Sequence, residues 1–173
     1  MARRKSNKKN SKMILVALAL LLALVGVVLF CVLNSVQFVI GDKPVEDAFY
    51  KGYQVVFGYT ETAGSIVSVS VKVLTFSFMA LLPIILVLGG IILALLGLNN
   101  KLFSFIGGVL LIGAAVLFIV VPNFVSLTEE GAKLLGGLTS LTGITTSFKA
   151  SIGVYLGASF AGVAGLLTIG SNF

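Results

Sequence analysis

The sequence predicts an all-α integral membrane protein, a four-transmembrane-helix bundle with short extracytoplasmic helices in its loops. Composition is the first ground for this. Of 173 residues, 58% are hydrophobic and 10% charged, whereas a soluble domain carries roughly 25% charged residues. Too few polar groups exist to cover a soluble surface, so much of the apolar surface is expected to face acyl chains. The second ground is pattern, because the apolar residues gather into four long runs. The third is charge placement: Arg3, Arg4, Lys5, Lys8, Lys9 and Lys12 supply the whole net charge of +6, and the other basic and acidic residues cancel.

Residues 1–12 form the basic tail. Lys and Arg beside a spanning helix are retained on the cytoplasmic side and are attracted to anionic headgroups. Without interleaved aromatics, and next to an apolar helix, the tail is not expected to bind nucleic acid. Residues 13–33 contain no charge and no proline, and about twenty residues at 1.5 Å rise cross a hydrocarbon core of about 30 Å. The run exceeds a signal-peptide core and no A-x-A-like site follows it. Phe30 stands before Cys31 where lipoprotein cleavage needs a small residue. The segment is therefore expected to be a retained first span.

Residues 34–70 form the first outer loop. Val45, Ala48, Phe49, Gly52, Tyr53 and Val56 follow helical spacing, with Glu46, Asp47, Lys51 and Gln54 largely opposite, which predicts an amphipathic helix over 44–57. Pro44 suits its first turn and Asp42 its cap. Phe38, Phe49, Tyr50, Tyr53, Phe57 and Tyr59 would then lie at headgroup level, or the helix would form a lid over the bundle. Residues 65–73 alternate small polar residues with valines, a strand pattern whose nearest partner would be 36–40. An early start of the second span is the preferred reading.

The second span is expected over 71–98 and the third over 102–121, joined by Asn99, Asn100 and Lys101 in a tight antiparallel hairpin. Pro83 removes one backbone bond and predicts a kink near residues 79–82, with a gating hinge as the alternative. In the second outer loop, 122–149, Ser126 and Glu129 have capping-box spacing, which predicts a helix over 127–135 ended by Gly136 and Gly137. Residues 138–147 read as a Thr- and Gly-rich loop, re-entrant if neighbouring protein satisfies its backbone.

The fourth span, 150–170, carries Gly153, Gly157, Ala161 and Gly165 at four-residue intervals. Such a stripe lets another helix backbone approach closely. Candidate complements are Gly89, Gly90, Ala94 and Gly97 in the second span and Gly107, Gly108, Gly113, Ala114 and Ala115 in the third. Packing within the chain is preferred to self-association. Four crossings from a cytoplasmic start return the C-terminus inside, and both outer loops lack positive excess, as the positive-inside tendency requires.

Chemistry is sparse. There is no histidine and no tryptophan, and Cys31 is the single cysteine, so the usual His base, His/Cys metal cluster and structural disulfide are excluded. Cys31 reads as a small buried residue, near the wrong end of its helix for palmitoylation. Lys72 and Lys149 fall near span boundaries and are expected to snorkel. No buried carboxylate or repeated broken helix marks a coupled transporter. The glycine-rich stretch 131–137 lacks the lysine and hydroxyl of a phosphate loop, and the adjacent Glu129 and Glu130 read as a solvated first helical turn.

The plan of a basic inside start, long first outer loop, tight inside turn and shorter second outer loop resembles that of tetraspan proteins such as the claudin-like group. The resemblance covers the whole chain as topology. The Trp and Cys pair of the claudin-like first loop have no counterpart here.

These readings lead to an expected role as a non-enzymatic accessory or scaffold subunit of a membrane assembly, in a plasma membrane of bacterial type. No cofactor or metal is expected. The alternative is a small channel or transport component, in which Tyr155, Ser159 and Thr168 of several copies line a path. A lipid-modifying enzyme would have to use Asp42, Glu46, Asp47, Glu129 or Glu130 at the outer surface, and is the least favoured class.

Overall fold

The computed structural model describes residues 2–41, 43–63, 69–136 and 146–173. The expected Asp42 cap, the first part of the 65–73 alternation and most of the 138–147 loop lie outside the described residues. In chain order the elements are α1 (Ala2–Val32), β1 (Asn34–Ile40), β2 (Lys43–Lys51), α2 (Gly52–Phe57), β3 (Tyr59–Ala63) and β4 (Val69–Leu74). They continue as α3 (Phe78–Leu96), α4 (Lys101–Val120) with a 3-10 turn (Val121–Phe124), α5 (Glu129–Gly136), β5 (Thr146–Ala150) and α6 (Ile152–Gly170).

Four helical stretches are long and apolar enough to cross a membrane: Asn10–Val32, Phe78–Leu96, Lys101–Phe124 and Ile152–Gly170. The protein is not all-α, however. Antiparallel strands form a three-stranded sheet in the order β2-β1-β5 and a two-stranded sheet of β3 and β4. The helix expected over 44–57 is instead strand β2 followed by the single helical stretch α2. Helical spacing of its apolar residues loses here to backbone pairing, since Lys43, Pro44, Phe49, Tyr50 and Lys51 each face a partner on β1. Pro44 is tolerated because β2 is an edge strand, where a missing N–H need not break a ladder.

The second span starts later than expected. Residues 71–74 belong to β4, paired with β3 rather than with 36–40, and α3 begins at Phe78. Pro83 therefore falls in the second turn of its helix instead of near the middle of a long one, and the helix continues on both sides of it. Lys72 and Lys149 lie exposed on strands, not at helix ends. The capping assignment also shifts. The Gly131 amide donates to the Thr128 hydroxyl at 2.9 Å, so Thr128 caps α5 and Ser126 does not, while Glu129 and Glu130 occupy its exposed first turn.

The chain divides into two compact units. The first comprises Met1–Leu29, Leu82–Phe118 and Leu156–Phe173. Its helices meet where side chains are smallest. A methyl group built on Gly26 of α1 would lie 3.3 Å from the Gly157 carbonyl oxygen of α6. One on Gly165 of α6 would lie 2.8 Å from the Gly108 carbonyl of α4, and one on Gly107 of α4 2.9 Å from the Gly90 carbonyl of α3. These close backbone approaches link α1 to α6, α6 to α4 and α4 to α3.

Polar groups close one end of this unit. Lys12 Nζ donates to the Gly97 carbonyl at 2.7 Å, just beyond the last turn of α3, where helix carbonyls lack amide partners. The buried Ser104 hydroxyl and that of Ser171 both donate to the Thr168 carbonyl, at 3.1 and 2.7 Å. The beginning of the α1 span, the α3–α4 turn and the end of α6 are thus tied together.

The second unit comprises Phe30–Leu81 and Ile119–Tyr155. β1 is its centre, with Ser35, Val36, Phe38 and Val39 fully buried. Phe38 pairs with Phe148 on β5, their rings 5.5 Å apart. The outer edge of β4 is covered by the strap 126–128: Thr75 N–H donates to the Ser126 carbonyl at 3.2 Å, and Thr128 N–H to the Val73 carbonyl at 3.0 Å. The Thr128 hydroxyl also reaches the Lys72 carbonyl.

Glycine substitutions test the packing of the first unit. A methyl at Gly113 meets nothing within 4 Å, so Gly113→Ala should gain up to about 1 kcal/mol from helix propensity alone. Gly165→Leu should lose roughly 1 to 3 kcal/mol by overpacking. Thermal or denaturant unfolding in detergent, followed by helical circular dichroism, should place the two variants on opposite sides of the parent; both on the same side would contradict the described contacts.

Candidate functional site

The residues singled out in the sequence fall into separate places. Gly157, Ala161 and Gly165 are buried in the first unit, Gly157 against α1 and Gly165 against α4. Gly153 belongs to the second unit, where a side chain would strike Ser35. The stripe thus meets three partners rather than one helix along its length. Among the tail residues, Lys12 holds the Gly97 carbonyl, and Arg3, Arg4, Lys5, Lys8 and Lys9 lie along the beginning of α1. Tyr155 and Ser159 are exposed while Thr168 is fully buried and bonded to its own helix at the Ala164 carbonyl, 2.8 Å away. Residues 159 and 168 are nine apart, which at about 100° per residue puts them on opposite faces. One copy of α6 does not gather these three groups on a single face.

In the second unit, serines and a glycine hold the helix ends. Ser35 Oγ donates to the Phe30 carbonyl at 2.6 Å near the end of α1, and the Ser35 carbonyl accepts the Ser151 N–H at 2.9 Å just before α6. Ser77 N–H donates to the Val56 carbonyl at 3.1 Å, and its hydroxyl to the Phe124 carbonyl at 3.0 Å. Gly52 brings α2 onto the Phe30 backbone so closely that no side chain fits there. The termini of all four long helices are therefore connected through α2, Ser35 and Ser77. Beside this collar Tyr53 and Phe57 of α2, Phe76, Phe78 and Phe124 are exposed. Phe38 and Tyr50, expected at headgroup level, are buried instead.

Among the described residues of this unit, two cavities stand out. One of about 420 Å³ lies between the 3-10 turn and β5, lined by Pro122, Asn123, Leu127, Ala132, Thr146 and Phe148 and carrying no charged side chain. The other, about 260 Å³, lies between β2 and β3, lined by Glu46, Phe49, Tyr50, Gln54, Tyr59 and Glu61 with apolar residues of β2. The Tyr50 and Tyr59 rings stand edge to face, 5.8 Å between centroids and 61° between planes. Tyr50 is 5% exposed, and its ring also meets that of Phe148, 6.2 Å between centroids. No hydrogen bond engages its hydroxyl among the described residues. Burial, then the Glu61 carboxylate and Tyr59, push its pKa up to about 12.

This cavity escaped sequence analysis because its walls come from a strand read as a helix and from a loop with no regular pattern. The signal available was the density of Tyr and Glu over 46–61. Among the described residues no three His, Cys, Asp or Glu side chains converge as a metal site requires.

Tyr50 binds its proton more tightly folded than unfolded, so the stability it contributes is present below pH 10 and is lost as pH rises from 10 to about 12. Alkaline titration of tyrosinate absorbance should contain a component near pH 12 that Tyr50→Phe removes. Its persistence in that variant would show that Tyr50 is not the late-titrating group. Comparison of the chain with protein-family models, with curated proteins and with solved structures finds no match to any of them.

Proposed function

We propose that the protein is a non-enzymatic scaffold or accessory subunit of a membrane assembly, with both termini cytoplasmic and the sheet-bearing segments on the outer side of a plasma membrane of bacterial type. The supporting observation is the unequal division of charge and structure between the two units. Arg3, Arg4, Lys5, Lys8, Lys9, Lys12 and Lys101 all belong to the first unit, which contains no acidic residue. The second unit contains six acidic residues against five lysines, and both sheets. Positive charge is retained on the cytoplasmic side. The tie between Lys12 and Gly97, and that between Ser104 and Ser171, hold the start of the α1 span, the α3–α4 turn and the end of α6 at one end of the first unit, which supports a shared side for both termini.

In this reading Tyr53 sits at the outer headgroup boundary, where tyrosine is enriched, and the exposed Phe57, Phe76, Phe78 and Phe124 lie on its acyl side. β2 and β5 are the edges of the three-stranded sheet, and an edge strand offers unpaired backbone groups to a partner. That combination, a membrane anchor displaying a small three-stranded sheet with two edge strands, fits a part that docks others. The basic tail is held at anionic headgroups. A homo-oligomeric channel is the competing class.

With Cys31 replaced by Ser, cysteines at Lys51 and Lys133 should both react with an impermeant reagent in intact cells, while tags at Ala2 and after Phe173 should resist added protease. Labelling of only one loop would sink the four-span topology. Replacing the six tail charges with Gln should give mixed orientation at unchanged helix content; uniform orientation would remove the tail from that role. Native mass measurement of the purified protein should give a discrete heteromer, whereas a homo-oligomer that conducts ions in vesicles would establish the channel instead.

A further inference from the structure

We propose that the cavity between β2 and β3 binds the alkylammonium head of a small organic cation, with Glu61 and Glu46 supplying charge and Tyr50 and Tyr59 the aromatic walls. Four features of the cavity converge on that ligand. Among the described residues its polar lining is one-signed: two carboxylates, two tyrosines and a glutamine, without a lysine or arginine. Its two tyrosine rings are inclined at 61° and 5.8 Å apart, so that a cation beside them meets two aromatic walls in different directions. Ring faces attract cations electrostatically within about 6 Å, and quaternary ammonium groups are recognised by such partial cages.

The third feature is Tyr50 itself. It is 95% buried, it lines the cavity, and no described residue hydrogen-bonds its hydroxyl. Its hydroxyl keeps access to the cavity, where a ligand's N–H or the water it carries would give it a partner. The raised Tyr50 pKa, partly caused by Glu61, reports the negative potential that a cation would relieve. The fourth feature is size. About 260 Å³ falls just below the range of roughly 300–1,000 Å³ that accommodates drug-sized ligands, so the space suits a compact head. A hard metal ion is less well served: it needs several oxygen ligands converging at 2.0–2.6 Å, whereas here the two carboxylates share the lining with aromatic rings.

The alkylammonium has two sources, a free amine in solution or the choline or ethanolamine headgroup of a lipid. The full chain in maltoside micelles should be titrated calorimetrically with tetramethylammonium chloride, with sodium chloride as the ionic-strength control. Saturable binding is expected to tetramethylammonium and not to sodium. Glu61→Gln, isosteric and at an exposed position, should weaken it about tenfold, and Tyr59→Leu about fivefold. Tyr59→Phe keeps the ring and should stay within about twofold of the parent. Glu129→Gln on α5 should leave it unchanged. Circular dichroism establishes that each variant is folded.

Repeating the titration in phosphatidylcholine and in phosphatidylglycerol vesicles separates the sources. Loss of the response only in phosphatidylcholine identifies a headgroup already in the cavity, and a response in both identifies a free solute. The proposal is overturned by absence of saturable binding, by an equal response to sodium, by affinity unchanged in Glu61→Gln, or by a response to calcium chloride in place of tetramethylammonium.

Discussion

Every helix that crosses a bilayer ends in backbone groups with no partner in the helix itself, and those groups must be satisfied before the chain can turn back. The four long helices are shaped by how this is met. Near the end of α1 the Phe30 carbonyl takes the Ser35 hydroxyl; at the start of α3 Ser77 reaches both Val56 and Phe124; past α3 the Gly97 carbonyl takes Lys12; near the end of α6 two serines converge on Thr168. Small hydroxyls dominate because they deliver a donor without needing volume. The bonds of Ser77, Lys12 and Ser104 join elements distant in sequence and so also fix which helices are neighbours.

Glycine completes the arrangement. In lipid there is little hydrophobic drive between helices, and dispersion contacts grow with closeness. At Gly26, Gly107, Gly108 and Gly165 the opposing backbone comes within 2.8 to 3.3 Å of where a Cβ would stand. Outside those contacts the helices carry Leu, Ile, Val and Phe exposed, which is the ordinary surface of a segment solvated by acyl chains. The sheets follow a different logic. A two-stranded sheet is marginal alone, and β3–β4 gains a third backbone neighbour in the strap at 126–128 that leads into α5.

The long apolar helices were legible in the sequence because hydropathy is local: residues 102–121 and 150–170 coincide with helices to within a few residues, and 13–33 with the apolar part of α1, which begins already at Ala2 and takes in the tail. The solvated pair Glu129 and Glu130 was legible for the same reason. The sheets were not, because β1 owes its conformation to β5, paired as Val36 with Ala150 and Ile40 with Thr146, across more than a hundred residues of chain. The valine alternation before α3 did announce β4, and the error lay in giving priority to the apolar helix beside it. Over 44–57 the helical spacing is real, but a local period cannot reveal that a neighbouring strand takes up the backbone groups. The β2–β3 cavity was hidden with it, since Tyr50 and Tyr59 meet only once β2 is extended and α2 turns the chain.

The late position of β5 gives synthesis a defined order of events. β1 emerges early, yet one of its two ladders waits for residues 146–150, which immediately precede α6. Because Ser151 is bonded to Ser35 and Gly153 rests on it, pairing of the central strand also sets where α6 begins. Until β5 is in place β1 exposes a free edge, which is a ready template for wrong pairing. Completion of the sheet is thus tied to the segment that leads into α6: a chain truncated before residue 146 would hold three of the four long helices and a β1 with one edge unpaired.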